Sequence, residues 1–473
     1  MAQTKLFSTV VIFLLIPFVA ISAVFLTFQY FNISLFDNYT KTFFNQYAPR
    51  QEDEPTNISH IVFGISASVN TWPWRHHYID LWWQPNVTRG FLWLDYEPHQ
   101  NNDDTWPETS PPYKVSGDTS SFKYTGGPLR YQIRMSRVVK ESFELGLENV
   151  RWFVMGDDDT VFFPENLVSV LSKYDHNEMY YIGGNSESVE QNEGNFFKMA
   201  YGGAGVAISY PLAMVLAKGF DECIERYAHL FGCDGRIMSC ASEIGIHLTH
   251  ELGFHQVDLR GNPYGFLAAH PISPLVTLHH LELVDPLFPT LNQADSIEKL
   301  FASYKMDPGR ILQKSFCYDL RRNWSLSVSW GYSVELYPSL VNVGEMETPF
   351  RTMKTFTMRD GPFMFNTRPL SNDLCEKPLI YYVDQVDRIS EGNTRSRYKR
   401  YDAVSGEVCA SEQYAPALNI SYVDILTYHF HIWAKAPRRQ CCDVMDDGDV
   451  DGMKSVVQVK IRECHLFESV TPQ

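Results

Sequence analysis

The sequence predicts an α/β domain on a mainly parallel sheet, preceded by an apolar membrane anchor and followed by a β-rich extension. Three observations carry this expectation. Between residues 58 and 290, short apolar runs alternate with helical stretches, the pattern of strands joined by crossover helices. Residues 6–36 hold no charged side chain, enough to cross a bilayer. From about residue 291 the segments NWSLSVSWGYSVELY, RTMKTFTM and VVQVKIREC alternate in the manner of strands.

At 473 residues the chain is longer than one ordinary core supports. Its net charge of −16 argues against nucleic-acid binding, so no nucleic acid is expected as a partner. Residues 1–5 read as a cytosolic tail, 6–29 as an uncleaved signal-anchor and 30–57 as a stem. A cleavable signal peptide has a shorter apolar region; here the apolar character persists through Phe28, Tyr30 and Phe31. Lys5 is the only basic residue before the span and none follows until Lys41, which places the amino terminus in the cytosol.

Sequons at Asn32, Asn38, Asn57, Asn86, Asn323 and Asn419 all follow the span and agree with a luminal body. The nine cysteines, all beyond residue 222, allow four disulfides with one thiol left over. Their pairing is not legible from spacing.

Residues 60–65 read as a buried strand, 74–83 as helical, 90–96 as a second strand and 98–127 as a loop. A helix is expected over 128–145, with Gly146 as its stop. RWFVMGDDDTVFF (residues 151–163) follows: an apolar strand opening onto Asp157, Asp158 and Asp159. Adjacent carboxylates repel unless a cation or donors neutralise them, and open α/β sheets bind ligands at this edge. The reading is a Mg²⁺ or Mn²⁺ site that holds a phosphorylated substrate. Pro164 opens a helix, MYYIGG and KMAYGGAGVAIS contribute strands, and Pro211 opens another helix. The run Tyr201 to Gly205 lacks the Lys-Ser/Thr of a phosphate-binding P-loop, so nucleotide cradling is not expected there.

The ordered set RWFVMGDDDTVF, YIGG, AYGGAGVAIS, FGCDGRIMSC and the His279-His280-Leu281-Glu282 segment resembles the fringe-like β-1,3-glycosyltransferases, and more closely their plant fringe-related group. The resemblance covers residues 58–290, and the β-rich 291–473 extension is shared by the plant group. It implies a GT-A (Rossmann-like) fold, a UDP-sugar donor and a divalent metal, Mn²⁺ or Mg²⁺, between diphosphate and acidic motif. Carried over by position, Asp159 would ligate the metal, while Asp157 and Asp158 would contact ribose or metal-bound water.

The family's general base falls on Asp234, whose usual acidic neighbour is here Cys233. Asp234 alternatively caps a helix starting near Arg236. For the glycine run the family reading is a tight segment that lets substrate approach the backbone. The bland reading is a bend. A metal-ligating histidine is implied in TLHHLE, where position favours His280 and leaves His279 open.

The expected protein is a Golgi, single-pass type II membrane enzyme. It would transfer sugar with inversion from a UDP-sugar to a glycan or glycoprotein acceptor. The alternative is a catalytically silent fringe-like glycan-binding or assembly protein. The loop Asp447 to Gly452 starts like a calcium-binding loop but has Gln458 at the twelfth position. It reads as a solvated turn. His76, His77, His429 and His431 read as ordinary histidines.

Overall fold

The computed structural model describes residues 54–98, 106–125, 130–401, 409–428, 430, 437–445 and 455–471. The 6–29 span, nearly all of the stem, Asn32, Asn38, His429, His431 and the Asp447 loop lie outside the described residues. Among the described residues no helix is long and apolar enough to cross a membrane.

Residues 56–473 form one compact unit. Its first layer is a seven-stranded sheet of β1 (Ile61–Ser66), β2 (Arg89–Leu94), β3 (Tyr113–Val115), β4 (Trp152–Asp157), β6 (Tyr181–Gly183), β7 (Val206–Ser209) and β8 (Leu248–His250). The strand order is β3-β2-β1-β4-β7-β6-β8. Pairings are parallel except where β7 runs antiparallel to β4 and β6. The architecture is a mixed α/β sheet that fits a GT-A-like domain.

β1 is apolar and buried along its whole length because strands flank it and helices cover both faces. Its alternation divides the two cores. Val62 packs with the helices Tyr131–Glu144, Tyr210–Arg226 and Cys233–Glu243, while Ile61, Phe63 and Ile65 face Trp72, Trp82, Phe162 and Leu167. Gly146, at φ +62°, stops the first of these helices as expected.

A small sheet sets the site's geometry. β5 (Val161–Phe162) pairs antiparallel with β11 (Thr277–Leu278), which pairs parallel with β9 (Phe254–His255).

The C-terminal sheet has eight strands, among them β12 (Lys314–Asp319), β13 (Trp324–Ser329), β14 (Ser333–Tyr337), β18 (Tyr422–Thr427), β19 (Cys441–Val444) and β20 (Val456–Arg462). All its pairings are antiparallel except β18 with β20. Its edge strands β12 and β19 meet: Ser315 bridges Gln440 and Cys317 is disulfide-bonded to Cys442, so the sheet closes on itself. One hydrophobic cluster runs from Ile61 on β1 to Ile461 on β20, joining both sheets. The other disulfides are Cys223–Cys240, Cys375–Cys409 and Cys441–Cys464, which leaves Cys233 as the free thiol.

Candidate metal and glycosyl-transfer site

The strand order reverses between β1 and β4, and their carboxyl ends are paired in register at Ser66 and Asp157. Ligands of open α/β sheets bind outside such a switch point. The triplet turns away from β4 there. Thr160 N–H donates to Asp157 O at 3.1 Å, and Thr160 Oγ1 accepts from Asp157 N–H at 2.9 Å while donating to Gly203 O at 2.8 Å.

The β5–β11 register, Val161 opposite Leu278, brings the next residue, His279, against the triplet. His279 Nε2 lies 3.1 Å from Asp159 Oδ1 and 3.8 Å from Asp157 Oδ2. One ligand atom from each of Asp157, Asp159 and His279 falls within 4.8 Å of the others. His280, which position matching favoured, stays outside the three: its ring lies against that of His279, with centroids 3.8 Å apart, but its backbone is left-handed (φ +50°) and its Nδ1 lies 3.0 Å from Asp258 Oδ1. Left-handed non-glycine residues cost energy and gather at functional sites.

Asp158 does not join the three. It is held by Arg75 Nη1 at 2.9 Å and by the Thr71 hydroxyl, while Arg75 Nη2 reaches Asp159 at 3.2 Å and Glu282 at 3.0 Å. Nothing in the sequence pattern around Arg75 pointed to this neutralising role. Asp95 was missed too, although it follows an apolar strand as the triplet does. It accepts from Ser68 Oγ at 2.8 Å and Val69 N–H at 2.9 Å. With Tyr131 and Arg134 these residues line a cleft of about 480 Å³ in front of the triplet.

Burial pushes the Asp157 carboxyl up to about 7, helped by Asp159 and Asp234 and opposed by His279. Burial also opposes charge on Asp159, but His279 and Arg75 outweigh it and hold that carboxyl well below its usual range. Desolvation likewise disfavours the His279 imidazolium, yet Asp159 pushes it up to about 9. Two carboxylate oxygens and an imidazole nitrogen form a donor set that could hold a divalent cation. The buried His279 Nδ1 has no hydrogen-bond partner among the described residues, so Nε2 alone is engaged.

A cation would displace protons from His279 and Asp157, which gives a pH signature. Both folded values are raised, so each group's stabilising contribution is full below its ordinary value and is lost as pH rises. For Asp157 the loss runs up to about 7, and for His279 up to about 9. The metal-free protein is therefore expected to lose thermal stability toward about pH 9, and Mn²⁺ should restore more there than at about pH 6. Melting curves with and without Mn²⁺ across this range test it. A pH-independent Mn²⁺ effect would refute the assignment.

Asp234 sits in the first turn of the Cys233–Glu243 helix, whose N-cap is Gly232 at φ +86°. The helix starts before Asp234, and no side chain caps it, so the capping expectation fails. The carboxylate turns instead toward the glycine run. A Cβ on Gly202 would lie 2.5 Å from Asp234 Oδ1, and one on Gly203 would lie 2.1 Å from His279 Cε1. The glycines thus make room for the protein's own Asp234 and His279, a reason beyond the bend or substrate approach read from sequence. Cys233 Sγ donates to Asp234 Oδ1 at 2.9 Å, and burial raises both the thiol and the carboxyl.

His76 pairs with Asp80 at 2.7 Å and His77 with the Trp74 carbonyl at 3.0 Å, both on the surface.

A family model described as Fringe-like matches residues 101–261, from ahead of the triplet to beyond Asp234. A second, described as Protein of unknown function, DUF604, matches residues 191–442 and takes in the glycine run, Asp234, His279 and most of the C-terminal sheet. No curated protein matches the chain.

Proposed function

Because the chain belongs to the DUF604 family, and with it to a fringe-related family of glycosyltransferases, we propose that it transfers a hexose from a UDP-sugar, with inversion in the β-1,3 manner, to a glycan or glycoprotein acceptor. The observation that carries this reading is the convergence of Asp157, Asp159 and His279 at the sheet's switch point, with Asp234 across two glycines.

Asp157, Asp159 and His279 would hold the cation, Mn²⁺ or Mg²⁺, whose chemistry when bound is to neutralise charge on the departing nucleoside diphosphate. Arg75 fixes Asp158 in place and, with His279, keeps Asp159 ionised. Asp234, its basicity raised by burial, accepts the acceptor hydroxyl's proton. The Cys233 thiol, kept protonated, and the Gly202 N–H orient that carboxylate.

Purified full-length protein should hydrolyse UDP-galactose or UDP-N-acetylglucosamine slowly, and only with Mn²⁺ or Mg²⁺ added. Cys233 in the acidic neighbour's place is the feature that favours a silent glycan-binding protein. Metal-dependent UDP binding without any turnover of either donor would decide for it.

We further infer a Golgi membrane location with residues 37–473 luminal. The uncharged 6–36 span supports this, as do four disulfides and exposed sequon residues Asn86, Asn323 and Asn419. Glycosidase treatment should increase the native protein's gel mobility. Unchanged mobility counts against the luminal placement.

A further inference from the structure

A second cavity, of about 450 Å³, opens at the carboxyl ends of β6 and β8, on the same sheet edge as the metal-capable group. We propose that it is the acceptor subsite and takes a neutral oligosaccharide. The proposal rests on the glycosyltransferase reading of the neighbouring cleft.

Its walls come from both sides of residue 291, where the β-rich extension begins. Phe254 and Phe266 precede it, and Phe365 belongs to the extension. Phe365 lies 5.8 Å from Phe266 within the lining and is itself stacked on Phe363, outside it, at 5.5 Å. Such rings suit the C–H face of a pyranose, and the size falls in the roughly 300–1,000 Å³ range of small-molecule sites.

Polar groups punctuate this wall. Glu187 lies 3.0 Å from His255, and Arg439 is paired with Glu347 at 2.9 Å. The one guanidinium among the described lining residues is thus already matched by a carboxylate, which leaves no free arginine or lysine there to select an anionic ligand. The Arg439 side chain is only 8 % exposed, yet its Nη1 has no hydrogen-bond partner among the described residues. A ligand hydroxyl would supply one. Asn366, at the exposed mouth, offers a further donor and acceptor.

Position links the cavity to the chemistry. Ser186, in its lining, donates to Asp258 Oδ2 at 2.6 Å, and Asp258 Oδ1 holds His280, which lines the metal cleft. On its other flank Asn185 donates to the carbonyls of Phe197 and Met199 at 3.0 Å, just ahead of the glycine run that touches Asp234. The cavity thus borders both the segment that holds His280 and the segment that leads into the glycine run.

The test applies full-length protein to an array of defined neutral and acidic oligosaccharides, without UDP-sugar or metal. We expect binding to neutral oligosaccharides only. It should weaken by roughly tenfold or more in Phe365→Ala, the cost of a lost aromatic contact, and in Asn366→Trp, which blocks the mouth without removing a core contact. It should persist in Asp159→Ala. Thermal melts establish that each variant is folded.

Absence of oligosaccharide binding, or binding that survives both Phe365→Ala and Asn366→Trp, overturns the assignment. Loss in folded Asp159→Ala overturns it too, since the glycan would then sit in the metal cleft. Each of these outcomes leaves Mn²⁺-dependent UDP binding by the unsubstituted protein as it was, and failure of that binding is what would remove the glycosyltransferase reading itself.

Discussion

Asp159→Ala is expected to abolish Mn²⁺-dependent UDP binding in a protein that still folds. Asp159 is the carboxylate on which His279 and Arg75 both converge. Losing a supporting partner of a metal ligand costs roughly 10- to 100-fold in affinity, and losing the ligand itself should exceed that. The fold should survive with a lower melting temperature: His279 loses its partner, while Arg75 keeps Asp158 and Glu282 and the repulsion within the triplet falls. Calorimetry of UDP binding with and without Mn²⁺, beside a thermal melt, reads both quantities. His279→Ala should share the defect, while His280→Ala should lose less, since His280 faces Asp258. Undiminished Mn²⁺-dependent UDP affinity in folded Asp159→Ala would sink the metal assignment.

Asp234→Asn separates base from scaffold. The amide keeps the carboxylate's shape beside Gly202 but cannot take a proton. Donor and Mn²⁺ binding should survive, while transfer falls by a factor on the order of 10² to 10⁴, the contribution of a positioned base. Because Asp234 makes no capping bond, the melting temperature should scarcely move. Transfer at the wild-type rate would mean that another residue takes the proton. The expected loss is read as turnover per folded molecule, in the same preparation as the melt.

The sequence carried much of this arrangement in short-range pattern. The strand from Trp152 into the triplet, the Pro-led helices Pro164–Leu171 and Tyr210–Arg226, and the β13–β14 hairpin follow from periodicity, glycine and proline placement. Asp157 and Asp159 stood out because acidic residues at a strand's end are legible one segment at a time, whereas Asp234 was implied by the family resemblance. The choice between His279 and His280 was not, since it depends on the β5–β11 register and on one left-handed residue. Arg75 was hidden for a similar reason. It lies 82 positions before Asp157 in the chain (157 − 75), and only the packing of its helix against β5 brings it to the triplet. The glycine run announced a special backbone without saying what presses on it. Disulfide pairing was illegible because it follows tertiary packing: it joins two neighbouring helices 17 residues apart in one case and two edge strands 125 residues apart in another.

The ring made by the C-terminal sheet sets an order of biosynthesis. Strand β12 has β13 on one side, and its other edge meets β19, whose Cys442 lies 125 residues downstream of Cys317. Until the ribosome has delivered β19, β12 presents an open row of backbone donors and acceptors, the kind of edge on which foreign strands add. The nascent chain must therefore hold that edge apart through most of the tail's synthesis. The residues of the site are thus synthesised well before the strand that closes the ring.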